Sequence, residues 1–135
     1  MFFDASAFAK RYLEEAGSDT VETLCVEATD LGLCVICVPE IISAMNRRLR
    51  ERRLTKSDYA SLKQHLLEDV RDAAIIDLVP SVIAACVEIV ETSPVRAADA
   101  LHVAAARAWQ ANLFVSADQR QLAAARKAGL KVRAV

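Results

Sequence analysis

Four carboxylates carry the clearest chemical possibility in this chain: Asp4, Glu40, Asp99 and Asp118. Each stands where a helix is about to begin, and Asp4, Glu40 and Asp118 do so just after a short apolar run of strand type. In an open α/β sheet the helix N-termini lie at the carboxyl edge of the strands, so acids far apart in sequence converge on one crevice there. Taken singly, each acid is accounted for by helix capping and the helix dipole. Gathered in one crevice, they need a cation. Hard divalent ions such as Mg²⁺ or Mn²⁺ take oxygen ligands and keep several waters, which suits three or four carboxylates offered by different loops. A site of that kind activates water and neutralises a phosphate. In a two-ion version, ions ~3.5–4 Å apart stabilise both the attacking and the leaving oxygen of an in-line displacement. No His or Cys falls among the candidate ligands, which disfavours a zinc hydrolase. Asp99 lies in the Ala-rich stretch RAADALHVAAA, where an unpaired carboxylate is costly, so a positive group is expected beside it.

The elements that would position these acids follow from periodicity and punctuation. A first strand covers Met1 to Phe3, and Asp4-Ala5-Ser6 opens a helix to about Glu15, broken by Ala16-Gly17-Ser18. Asp19 to about Leu31 reads as a second helix, with Val21, Leu24, Cys25 and Ala28 on one face. Leu33 to Val38 is a continuous apolar run of strand length that suits the centre of a parallel sheet, and Pro39 then starts a helix at its favoured first position. Ile41, Ile42, Met45 and Leu49 form that helix's apolar side, and Thr55 with Asp58 has the pattern of a capping box for the next. Ala74 to Val79 is another buried-strand candidate, stopped by Pro80. Two helices follow, about Ser81–Glu91 and Val95–Trp109, then a strand Leu113–Val115, a helix Asp118–Ala128 ended by Gly129, and a last strand Lys131–Val135. Asp99 needs a separate step: its helix feeds the Leu113 strand through a short loop, so it runs antiparallel to that strand and starts near the carboxyl edge. The alternation predicts a three-layer α/β domain over residues 1–135, with a mostly parallel sheet of four or five strands and helices on both faces.

Composition narrows the functional classes. The chain has 135 residues, enough for one domain and too few for two well-packed ones. Lys and Arg number 17 against 18 Asp and Glu, a net charge of -1, so any basic surface is local. An apolar share of 54% argues against disorder. Cys25, Cys34, Cys37 and Cys86 sit on apolar stretches with no charged-then-apolar leader, which predicts reduced thiols, a soluble protein and a cytoplasmic setting. The C-x-x-C spacing of Cys34 and Cys37 falls in a β-branched run without a second pair, and reads as buried strand thiols rather than a zinc site. No apolar run approaches the ~20 residues that span a bilayer.

Four stretches together resemble the PIN-domain ribonucleases, and in particular the compact toxins of VapBC toxin-antitoxin systems. They are FFDASAFAKRY at 2–12, VPEIISA at 38–44, RAADALHVAAA at 96–106 and VSADQRQLAAARKAGL at 115–130. The resemblance implies that Asp4, Glu40, Asp99 and Asp118 serve Mg²⁺- or Mn²⁺-dependent hydrolysis of RNA, leaving 5′-phosphate and 3′-hydroxyl ends. Asp4 and Asp99 would hold the principal ion, Asp118 would support it directly or through water, and Glu40 would orient the attacking water or a second ion. Ser6 and Ser116 fall where the family carries small hydroxyl residues that bond the carboxylates or waters. A further acid found near the last pair in some members is absent, since Ser116 and Gln119 flank Asp118; this bears on a second ion more than on the first. A homodimer and inhibition by a small antitoxin protein are implied as well.

Around the acids, Arg47, Arg48, Arg50, Arg52 and Arg53 form a run that reads either as a phosphate-binding track or as a solvated helix face. Arg96, Lys10 and Arg11 are further candidates for contact with RNA. His102, one turn past Asp99, reads as a packed, hydrogen-bonded core histidine, Trp109 as a helix-end anchor and Tyr12 as a partly buried ring near the cleft mouth. Few aromatics are present, so no stacking platform for bases is evident. A phosphoacceptor domain would need an Asp ending the third strand, where Leu78-Val79-Pro80 stands instead. The remaining alternative is a PIN-like module that binds a metal and RNA or protein without turnover.

Overall fold

Five short parallel strands order the molecule in the sequence β3-β2-β1-β4-β5. They are β1 (Phe2–Phe3), β2 (Gly32–Cys34), β3 (Ala74–Ile76), β4 (Phe114–Ser116) and β5 (Val132–Ala134), with every pairing parallel. This computed structural model describes all residues 1–135. The connections supply α1 (Ala5–Phe8), which continues as a 3₁₀ turn through Arg11, α2 (Ser18–Glu27), α3 (Cys37–Arg50), α4 (Lys56–Asp69), α5 (Pro80–Thr92), α6 (Ala97–Ala108) and α7 (Gln119–Lys127). Parallel neighbours require long crossovers, and helices fill them on both faces, as the alternation of apolar runs and helical stretches predicts.

The register sorts the core into two halves. Phe2 pairs with Gly32 and Phe114, whereas Phe3 pairs with Leu33 and Val115. Successive strand side chains point to opposite faces. Phe2, Cys34 and Phe114 therefore pack with Val82, Ile89, Val103 and Leu122 of α5, α6 and α7. Phe3, Leu33 and Val115 pack on the other side with Phe8, Val21, Ile41, Met45 and Leu66 of the first four helices. Both strands β1 and β2 are fully buried, which explains their continuous apolar character.

Several expected boundaries move. The strand predicted over 33–38 ends at Cys34, although the amide of Val35 still donates to Ile76. α3 begins at Cys37, so Pro39 occupies the third helical position rather than the first; the N–H groups of a first turn lack intrahelical acceptors, and proline is tolerated there. The stretch 74–79 yields only Ala74–Ile76, and β3 is an edge strand with Ala74 and Ile75 exposed, not a buried one. The first helix stops at Phe8 and tightens into the 3₁₀ turn, well short of Glu15. α2 ends at Glu27, because Ala28 turns extended to lead the chain into β2 beside β1. The Thr55–Asp58 capping box is present, and Gly17 and Gly129 take positive φ at the break before α2 and after α7.

Candidate functional site

Asp4 leaves β1 directly at the carboxyl edge of the sheet and caps α1: its Oδ1 accepts the Ala7 amide at 2.8 Å. Its Oδ2 faces two hydroxyls, Ser6 at 2.7 Å and Ser116 at 2.9 Å. Ser116 is the last residue of β4, the neighbouring strand, and is fully buried. The Ser116 hydroxyl also lies 2.8 Å from Gln121 Oε1, and its single hydrogen can serve only one of these acceptors. Gln121 is oriented by its amide, which donates to the Asp99 carbonyl at 3.0 Å and so ties α7 to α6. Ser6 in turn accepts the Ala117 amide at 3.0 Å, linking the first and last functional segments. Burial raises the Asp4 carboxyl above the ordinary carboxylate range, against the opposing pull of Ser6, the Ala7 amide, nearby His102 and Ser116.

The other acids are presented differently. Asp118 caps α7, with Oδ1 accepting the amides of Arg120 and Gln121 at 2.7 and 3.1 Å, and the side chain is exposed. Asp99, half-buried in the first turn of α6, accepts the Arg96 amide at 3.3 Å. Glu40, in the first turn of α3, sends Oε2 to within 2.6 Å of His102 Nε2. All four acids line one cavity of about 570 Å³, which Ser6, His102, Arg47, Arg48 and Arg96 also border. A second cavity of about 660 Å³ shares Arg96, Asp99 and Asp118 with it and extends to Arg120. No Lys or Arg forms an ion pair with any of the four acids. The positive group expected beside Asp99 is thus present only as Arg96, bordering the same cavity without pairing.

The proposed basic contacts divide. Arg47 and Arg96 border the acids, whereas Lys10 is buried with its ammonium on the Ala16 carbonyl and near Glu15. Arg11 pairs with Glu22 and Asp69 at 3.5 and 3.4 Å. The arginine run does not continue as one helix: α3 ends at Arg50, Arg52 takes φ 57°, Arg48 is bonded to Glu15 at 2.8 Å and Arg53 pairs with Glu51. Sequence reasoning missed Gln121 as the brace beneath Ser116, and the partner of His102. For Gln121 the available signal was spacing, three residues or one helical turn after Asp118; nothing local in the sequence links His102 to Glu40.

Carboxylate and hydroxyl oxygens make up the donor set, which matches a hard divalent cation rather than zinc or copper. A carboxylate as buried as Asp4, at 3% exposure with no cationic partner, is the observation that such an ion would satisfy. As they stand, no three Asp, Glu, His or Cys side chains close on one point. Repulsion between unneutralised carboxylates favours that spread.

The profile of the PIN domain matches residues 1–127. No curated protein matches the sequence significantly. Among solved structures, FitAcB from Neisseria gonorrhoeae superposes with a TM-score of 0.75 at 16% identity, covering 97% of this chain and 94% of that one. VapBC2 from Rickettsia felis, bound to a DNA fragment from its promoter, gives 0.71 at 12% identity over 99% and 97%. VapC20 from Mycobacterium tuberculosis, a sarcin-ricin loop cleaving toxin, gives 0.70 at 15% over 91% and 93%. At these identities the solved structures establish the shared fold, while the profile covers nearly the whole chain, and the chain belongs to the PIN domain family.

Proposed function

We propose that this protein is a Mg²⁺- or Mn²⁺-dependent endoribonuclease and the toxin of a type II toxin-antitoxin pair. The observation that carries the reading is the convergence of Asp4, Glu40, Asp99 and Asp118 on one cavity without a single Lys or Arg paired to them. When bound, the ion supplies positive charge that polarises a phosphodiester and eases ionisation of water. Asp4 and Asp99 hold it, with Asp4 kept in place by Ser6, Ser116 and the Ala7 amide. Asp118 presents its second oxygen from the helix cap, and Glu40 orients the attacking water. Arg47 and Arg96, on the rim, take the flanking phosphates of a single strand. Free thiols at all four cysteines agree with a cytoplasmic setting. The kinship in fold with a sarcin-ricin loop cleaving toxin and with a toxin-antitoxin complex from Klebsiella pneumoniae supports RNA as substrate and an antitoxin as partner; a homodimer is the assembly that the family resemblance implies.

The test is cleavage of structured RNAs by the purified protein with Mg²⁺ or Mn²⁺, with 5′-phosphate and 3′-hydroxyl ends expected. Asp4→Asn and Asp99→Asn should each lower the rate ~100-fold or more, since the ion's contribution is several kcal/mol. Undiminished cleavage by both variants would point to a contaminating nuclease and sink the assignment. The same cavity also suits a second reading, a PIN module that binds metal and RNA or protein without turnover. Calorimetry with Mn²⁺ beside the cleavage assay separates the two: binding without cleavage selects the module.

A further inference from the structure

His102 Nδ1 is the one buried side-chain nitrogen or oxygen in the molecule without a hydrogen-bond partner. The ring is 2% exposed, and its other nitrogen, Nε2, lies 2.6 Å from Glu40 Oε2 across 62 residues of sequence. A carboxylate can only accept, so Nε2 carries the hydrogen and donates to Glu40, while Nδ1 goes without a partner. The histidine thus gives up one of its two possible bonds and keeps the one to Glu40.

Glu40 is the acid that needs this bond. Asp4, Asp99 and Asp118 are short side chains held by backbone amides of the helices they start. Glu40 is one carbon longer and finds no backbone donor; His102 is its only hydrogen-bond partner. Its side chain is 37% exposed and borders the cavity, so without a tether its rotamers would spread into solvent. The tether also joins two layers: α3, which carries Glu40, packs on the Phe3 face of the sheet, and α6, which carries His102, packs on the Phe2 face. The bond therefore passes over the carboxyl edge of the sheet and registers Glu40 against Asp99, one turn earlier on α6.

We propose that His102 is the positioning residue for Glu40, fixing Oε2 so that Oε1 is aimed into the cavity to orient the attacking water. The proposal rests on the nuclease reading. His102→Leu fills the buried space without a donor, and His102→Gln restores an N–H at similar reach. His102→Leu should lower kcat about 10–100-fold with KM unchanged, the usual cost of losing an orienting partner, and His102→Gln should recover most of it. In a Glu40→Ala background His102→Leu should cause no further loss. In metal-free protein, nitrogen NMR should show His102 with Nε2 protonated, and a slowly exchanging Nε2–H that disappears in Glu40→Ala. An equal loss from His102→Leu with and without Glu40 would make the histidine a packing residue and overturn the proposal. So would a ring protonated on Nδ1 and not on Nε2, a readout that stands even if the leucine variant fails to fold. Wild-type cleavage matched by both His102 variants removes the positioning role and leaves the nuclease standing, whereas a wild type that cleaves no RNA removes both.

Discussion

Asp4 sits at 3% exposure with protein hydrogen bonds to both carboxylate oxygens, and burial still outweighs them, leaving its carboxyl raised. The sign of the consequence is fixed. A folded-state value above the unfolded one means that the ionised carboxylate destabilises the fold, fully so above the raised value, and that this penalty fades as pH falls through it toward the unfolded value. Asp4→Asn, which keeps the size and leaves Oδ1 to accept the Ala7 amide while its Nδ2 donates to the Ser6 and Ser116 hydroxyls, should therefore raise Tm at neutral pH, with the gain shrinking on acidification into the ordinary carboxylate range. Added Mn²⁺ should raise the wild-type Tm and leave that of the variant nearly unmoved, because only the carboxylate binds the ion; a metal shift of equal size in both would show that Asp4 is not a ligand. The cysteines illustrate the same scale. Cys34 and Cys37 have C-x-x-C spacing, yet Cys34 packs on the Phe2 face and Cys37 on the Phe3 face, so they do not converge. Burial pushes both thiols up, Cys37 well above the usual range, which keeps them protonated.

At the level of elements, the site depends on how short the strands are. β1 has two residues, and a single step beyond it places Asp4 at the edge where α1 begins. Gly32 of β2 is held by a close approach: a Cβ there would come within 2.7 Å of the Trp109 ring and 3.1 Å of Phe2. Trp109 is the half-buried C-cap of α6, 6.3 Å from the Phe2 ring between centroids, and it occupies the space that a side chain on residue 32 would claim. Gly32→Ala should destabilise by about 1–3 kcal/mol, the cost of forcing a methyl into a packed core, measured by denaturant unfolding. Because the shift would pass through Trp109 at the far end of α6, catalysis should suffer less than stability; a variant as stable as wild type would mean that the ring yields freely. The helix boundaries were harder to read than the helices. Continuous apolar residues at 33–38 carry no sign of where strand gives way to helix, and the sequence placed the switch at Pro39, whereas the chain turns after Ile36.

For the whole molecule, a net charge of -1 leaves the proposed RNA binding to the local placement of cations. Arg96 and Arg120 border the second cavity, which Arg47 and Arg48 do not line, and neither is paired with a carboxylate. If a single strand crosses both cavities, Arg96→Gln and Arg120→Gln should each lower the slope of log affinity against log salt by about 0.7 per lost phosphate contact, without changing sequence preference. Titrating a single-stranded RNA across a salt series checks this, and an unchanged slope would place the strand elsewhere. The sequence by itself determined the parallel α/β architecture and the placing of four acids at helix starts, because apolar periodicity and capping acids are local signals, while the family and the two serines entered through four motifs taken together. It could not weigh Lys10 and Arg11 against Arg47, Arg96 and Arg120, since whether a cation is free depends on which acids fold beside it. Nor could it couple His102 to Glu40. Those two side chains meet only when helices from opposite faces of the sheet come together over its edge, and a contact across 62 residues leaves no periodic trace in the chain.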